Sequence, residues 1–157
     1  MKALKEKYAV SLATGILGLF YFVYAGMMLY NWITETFMQG TGSIGNILGL
    51  FIPADPGCAI ALITVGMLML GSLYYKLDDA RGVSCVFLGS LLGVALLTIQ
   101  LLIMVANVAN IGVSLLSREA TEYVLFEDIL RPEIVLGIGS MLLFFFSILK
   151  VRQITGK

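Results

Sequence analysis

The side chains of this 157-residue chain that could do chemistry are few. The sequence contains no histidine and only two cysteines, Cys58 and Cys85. Histidine is the commonest general base and metal ligand in proteins, and closed zinc or iron–sulfur sites need more cysteines than these. We therefore predict no catalytic residue, no metal site and no cofactor in this chain alone, and we expect that it is not an enzyme.

Three glycines, Gly40, Gly42 and Gly45, have the spacing of a dinucleotide-binding fingerprint. That fingerprint requires a strand before it, a helix after it and an acidic residue about twenty residues further on. Because these glycines lie between two apolar stretches, we interpret them as a flexible turn. Residues 44–52, which follow, are apolar enough to lie on a bilayer surface or to dip into it as a re-entrant segment, and the sequence leaves both open.

Gln100 is the largest polar side chain inside the apolar stretches. We find no charged residue in the core of any stretch, which argues against a proton relay or an ion-coupled transporter, since those depend on charged groups in the membrane. We predict that Gln100 makes an interhelical hydrogen bond, worth about 1 kcal/mol or less. Lining a ligand or quinone pocket is the alternative.

The elements that must position these groups are membrane helices. Hydrophobic residues make up 59% of the chain and charged residues 13%, against about 45–50% and roughly 25% in average soluble domains. A small soluble domain could not bury so much apolar surface. Ten basic and ten acidic residues cancel, so no global field gathers nucleic acid. The expected partners are membrane lipid and other membrane protein subunits, in a hetero- or homo-oligomer.

Four apolar stretches predict an all-α fold, a four-transmembrane-helix bundle formed as a single domain over residues 1–157. Because a spanning helix needs about 20 apolar residues, we place the spans at about 8–33, 57–75, 83–107 and 132–149. The outer loops then cover about 34–56 and 108–131. The third apolar stretch is longer than a membrane requires, so its helix should continue past the outer surface. Pro132 should open the fourth helix, since proline is favoured in a first turn.

Basic residues near the span ends predict the orientation. Eight of the ten would share one side, with only Arg118 and Arg131 on the other. Both termini are therefore expected to be cytoplasmic in a multi-pass protein of the cell membrane. Aromatic residues mainly towards the span ends are interpreted as interfacial anchors; they are Tyr21, Tyr24, Tyr30, Trp32, Tyr74 and Tyr75. The two cysteines would lie at opposite membrane faces, too far apart for a disulfide, and should be free thiols.

The second outer loop has helical periodicity, because Tyr123, Phe126 and Leu130 fall at i, i+3 and i+7. It predicts a short amphipathic helix on the outer surface before the fourth span. Its acidic face is either the solvent side of a structural strap or a docking face for a partner protein or a cation. The residues of that face are Glu119, Glu122 and Glu127.

Small residues on three of the predicted spans favour close helix packing, because dispersion rather than the hydrophobic effect joins helices in lipid. The helix-packing candidates are Ser11 and Gly15 on the first span, Gly89 and Gly93 on the third, and Gly137 and Gly139 on the fourth.

The outline of four spans, both ends inside and an overlong third helix is similar to the claudin-type tetraspan plan. The outer-loop disulfide pair and the Trp-Gly-Leu-Trp signature of that family are missing here. Residues 15–26, followed by a proline-containing loop and a glycine-dotted second span, resemble small DoxX-type membrane proteins, which implies a quinone-linked redox subunit.

Three functions remain open. The preferred one is a non-catalytic membrane subunit that packs and anchors partner subunits of a larger complex. The alternatives are a small transporter or channel component that binds a solute or cation at the outer face, and a DoxX-like redox subunit.

Overall fold

The computed structural model describes residues 2–38, 42, 44, 46–47, 50–75, 79–117 and 129–155, with side chains described only within 9–149. In chain order its elements are α1 (Lys2–Phe37), β1 (Asn46–Ile47), β2 (Leu50–Phe51), α2 (Pro56–Tyr75), α3 (Ala80–Ser117) and α4 (Pro132–Thr155). These four helices are all long and apolar enough to cross a membrane. The predicted all-α membrane bundle is therefore confirmed, while the predicted surface helix carrying Glu119, Glu122 and Glu127 lies outside the described residues.

Local sequence explains where the helices begin. The Asp55 carboxylate accepts a hydrogen bond from the backbone N–H of Cys58 at 3.0 Å, which caps the first turn of α2. Asp79 does the same for the N–H of Arg81 at 3.2 Å before α3. The fourth helix begins at Pro132, as predicted, because proline needs no N–H partner in a first turn.

The third helix runs without a break for 38 residues, which corresponds to about 57 Å at 1.5 Å per residue. The hydrocarbon core of a bilayer is only about 30 Å thick. The predicted continuation beyond the third span is therefore present, and the helix extends ten residues past the predicted end at position 107.

Successive helices run antiparallel and pack side by side, with a smaller contact between α1 and α4 closing the bundle. The register is fixed by close approaches at glycines. Gly89 of α3 lies against Met69 of α2, and Gly137 of α4 lies against Leu97 of α3. The start of α1 and the end of α4 consequently share one end of the bundle, here called the terminal end. The other end carries the β1–β2 hairpin and is called the hairpin end.

Interior residues recur at every seventh position on all four helices, the spacing that keeps one face of a helix turned toward its neighbours. Three layers result, each with one residue from α1, α2, α3 and α4 in that order. The terminal layer is Thr14, Ser72, Val86 and Ser147; the middle layer is Tyr21, Val65, Gly93 and Ser140; the hairpin layer is Met28, Cys58, Gln100 and Glu133. All are buried except Cys58, which is half-buried.

The hydroxyl groups of the terminal layer are satisfied within their own helices. Thr14 donates to the carbonyl of Val10 at 2.8 Å, and Ser72 donates to the carbonyl of Met69 at 2.6 Å. Such local bonding lets a hydroxyl lie in an apolar interior without a partner on another helix. In the other two layers, Tyr21 meets Ser140 and Cys58 meets Glu133 across helices instead.

Candidate functional site

The hairpin end of the bundle is closed by a carboxamide clamp. The side-chain amide of Asn31 donates hydrogen bonds of 2.8 Å to the backbone carbonyls of Ile44 and Ile52. Its side-chain oxygen accepts a third, also of 2.8 Å, from the N–H of Ile44. Asn31 is only 2% exposed, so these bonds satisfy loop backbone that would otherwise be buried without partners.

The hydrogen bonds of Asn31 and two further contacts position the described part of the 44–52 segment. Ile52 belongs to the hydrophobic core, and the N–H of Phe51 donates to the carbonyl of Leu130 at 3.1 Å. The two-residue strands β1 and β2 pair antiparallel between these attachments. This segment therefore covers the end of the bundle with its backbone bonded to protein. The sequence interpretation missed Asn31, although a lone asparagine near the end of an apolar span was a visible signal.

The predicted glycine turn is described at one position. Gly42 has φ of +97°, a left-handed conformation that glycine adopts without the steric cost paid by other residues. This agrees with a turn at that point, while Gly40 and Gly45 lie outside the described residues.

A carboxyl group lies in the hairpin layer, inside the bundle. Glu133 is only 4% exposed, and its Oε1 accepts a hydrogen bond of 3.1 Å from the thiol of Cys58. The sequence places Glu133 in the first turn of the fourth helix, outside the apolar core of the span, and its burial was not predicted. Glu133 follows Pro132 in the first turn of α4, where a helix favours negative charge, and it lies one heptad before Ser140 on the inward face.

Gln100 lies in the same layer and is also 4% exposed. Its Nε2 has no hydrogen-bond partner among the described residues, and neither does Oε2 of Glu133. The predicted interhelical hydrogen bond of Gln100 is thus not made within that part of the chain. The hairpin layer therefore contains one buried donor and one buried acceptor that lack a hydrogen-bond partner among the described residues.

The middle layer joins three helices around a small polar contact. The hydroxyls of Tyr21 and Ser140 are 2.7 Å apart, and Gly93 faces both of them. Tyr21 is 1% and Tyr24 7% exposed, so their interpretation as interfacial anchors was wrong. Their positions in α1 point inward because each lies on the heptad face that α2 and α4 cover.

Loss of the Tyr21 hydroxyl should have a modest, measurable effect. We expect Tyr21→Phe to lower the free energy of unfolding by about 1 kcal/mol, since one buried hydrogen bond is lost and the ring is kept. Adding Ser140→Ala should cost little more, because both partners of the bond are then gone. Unfolding in mixed micelles measures both values. Fully additive losses would contradict a direct bond.

The other packing candidates lie at helix contacts inside this chain. A Cβ on Gly15 would come within 2.9 Å of Leu73, and one on Gly139 within 3.0 Å of Leu17. Ser11 is half-buried and lines an apolar groove with Gly15 and Leu73. Cys58 and Cys85 are both free, as predicted.

One comparison with known proteins decides the family. A family model described as the MJ0565 integral membrane domain matches residues 4–150, nearly the whole chain. The chain belongs to the MJ0565 integral membrane domain family. No curated protein and no solved structure matches it.

Membership in the MJ0565 integral membrane domain family agrees with the four candidate spans and makes the chain a multi-pass membrane protein. The match includes Asn31 and the whole hairpin layer. In a bilayer the outward face of α1, which exposes Leu12, Leu19 and Val23, contacts lipid. The described part of the chain thus buries several polar side chains and turns many large apolar side chains outward.

Proposed function

We propose that this chain is a non-catalytic integral membrane subunit that packs against and anchors partner subunits of a larger membrane complex, and that the end of α3 is its docking element. The observation that carries the proposal is an uncharged helical extension beyond the ends of the neighbouring helices. The absence of histidine from the sequence supports a role in assembly rather than in catalysis.

The extension is defined by the helix register. Since Gly137 lies against Leu97 and Gly89 against Met69, the first residues of α2 and α4 are level with Leu101. Residues 101–117 of α3, here called the α3 extension, therefore project past both neighbours by about 25 Å. The extension contains no charged residue.

Apolar side chains on the extension are open to their surroundings. Val105 is 61% exposed, Leu102 64% and Val113 65%. A bilayer accommodates only about 30 Å of apolar helix, and α3 is about 57 Å long. Ser114 is only 8% exposed, so the open part of the extension is the face that carries Leu102, Val105 and Val113. That face is best satisfied by a helix of another membrane protein.

A photo-crosslinking amino acid at Val105 tests the proposal. In native membranes, illumination should attach the chain to one or a few discrete partner proteins, because a docking helix holds its partner in a fixed place. The matched control is the same amino acid at Leu19, which is 59% exposed but lies on the lipid-facing side of α1. That position should give mainly lipid adducts.

The competing results are distinguishable by mass. An adduct of twice the chain mass from Val105 would make the partner a second copy. Only lipid adducts at both positions would refute the docking role. Val105→Lys should abolish the protein adducts formed from a crosslinker at Val108, while leaving the unfolding temperature of the isolated chain within about 2 °C, since exposed sites contribute little to stability.

A further inference from the structure

Two buried polar atoms without described partners lie in the hairpin layer. Nε2 of Gln100 is a hydrogen-bond donor and Oε2 of Glu133 an acceptor, and neither finds a partner in the described part of the chain. Both side chains are 4% exposed. Buried polar groups are nearly always bonded to protein or to ordered water. Such a pair indicates an occupant.

The register places the two residues at the same level on adjoining helices. Gly93 of α3 contacts Ser140 of α4, and the helices are antiparallel. One heptad toward the hairpin end, Gln100 on α3 is therefore level with Glu133 on α4. The intermediate contact of Gly137 with Leu97 shows that the same register continues along this interface.

The remaining sides of the layer are closed by protein. The thiol of Cys58 on α2 donates a hydrogen bond to Oε1 of Glu133 at 3.1 Å. Oε2 is therefore open to a hydrogen bond from another donor. Met28 of α1 is fully buried at the same level. Above the layer, Asn31 holds the hairpin in place. An occupant would be enclosed at this end of the bundle.

We propose that Gln100 and Glu133 form a binding site for an oxygen that carries a proton, either water or the hydroxyl of an alcohol-bearing lipid or quinol. Such a group accepts from the amide of Gln100 and donates to the carboxyl of Glu133. A metal or ammonium cation is disfavoured because the amide presents N–H to it, and an anion is disfavoured by the carboxylate. The site is independent of the α3 extension.

High-resolution electron density tests the site directly. The unmodified full chain is placed in nanodiscs of phosphatidylcholine, which has no free hydroxyl, and density is sought within hydrogen-bond distance of both Gln100 Nε2 and Glu133 Oε2. An isolated spherical peak identifies water. Elongated density that appears only in nanodiscs of native lipid extract identifies a hydroxyl-bearing lipid or quinol. Either result supports the site.

A stability measurement gives a second readout of opposite sign. If an oxygen bridges the two groups, Gln100→Met removes the donor of one of its hydrogen bonds. The unfolding temperature should then fall by about 2–6 °C. If the amide is truly unpaired, the same change removes a buried orphan donor and should raise the unfolding temperature. Asn110→Leu, at an exposed position of α3, is the matched control and should change little.

The proposal is overturned by empty density between Gln100 and Glu133, or by density that shows a direct bond between them; a rise in unfolding temperature for Gln100→Met would agree with an empty site. Should Gln100→Met not fold, the density of the unmodified chain still decides. Crosslinking at Val105 is unaffected by either result, so failure of this site and failure of the docking role can be told apart.

Discussion

Alanine at Gly93 is expected to lower the free energy of unfolding by about 3 kcal/mol or more, since a new methyl group must enter a filled layer. Its Cβ would lie 2.6 Å from the Cβ of Ser140 and 2.8 Å from the Tyr21 hydroxyl, and closer still to the Ser140 hydroxyl. These neighbours belong to two other helices, so the crowding is relieved only if α1 and α4 move away from α3. Denaturation in mixed micelles, followed by the fluorescence of Trp32, measures the loss.

The chain supplies its own control for this substitution. A Cβ on Gly26 would meet nothing within 4 Å, so Gly26→Ala should be neutral or slightly stabilising, because alanine favours the helix. Ser140→Gly combined with Gly93→Ala should recover part of the loss, since it removes two of the crowded atoms. Equal effects of alanine at Gly93 and Gly26 would contradict the packing of the middle layer.

Replacing Asn31 with leucine should release the hairpin from the bundle. Three hydrogen bonds are lost, and the N–H and carbonyl of Ile44 and the carbonyl of Ile52 lose their side-chain partner. Each buried group left unsatisfied costs about 1–3 kcal/mol, so we expect a total loss of about 3 kcal/mol or more. Backbone hydrogen exchange at Ile44 should accelerate by at least about a hundredfold.

The control is Asn110→Leu, the same change at an exposed site of α3. Asn31→Asp gives a further comparison, because it keeps the acceptor for the Ile44 N–H and loses both donors. Its effect should be at least as large as that of Asn31→Leu, because a carboxylate at a site that is 2% exposed also bears the cost of burying a charge beside two carbonyl oxygens. Unchanged exchange at Ile44 in Asn31→Leu would show that other contacts hold the hairpin.

Much of the architecture was predictable because lipid imposes a simple requirement on sequence. Apolar stretches of sufficient length must be helices in a bilayer, and this placed all four elements and the start of α4 at Pro132. The ends were less predictable: α1 reaches Phe37, since a polar sequence can remain helical outside the apolar region. Hydropathy indicates where a membrane helix must exist, but it does not indicate the residue at which that helix ends.

The interior polar groups were harder to predict, because hydropathy treats every span as uniform. Glu133 stands among other acids near a span end, and only its distance of one heptad from Ser140 reveals that it points inward. Tyr21 resembles an interfacial tyrosine until the partner across the bundle is known. Asn31 has significance only through the backbone of residues 44–52. All three depend on tertiary register, which one sequence without its fold does not specify.

The heptad layers also restrict how α4 can align along α3. Lipid exerts no apolar force between helices, and sliding α4 along α3 by two turns would restore the same apolar face. That slip would, however, set the carboxyl of Glu133 beside Gly93 and leave Ser140 opposite Val86, away from Tyr21. The three layers thus favour one vertical alignment, because their dissimilar polar members meet their partners only in that register.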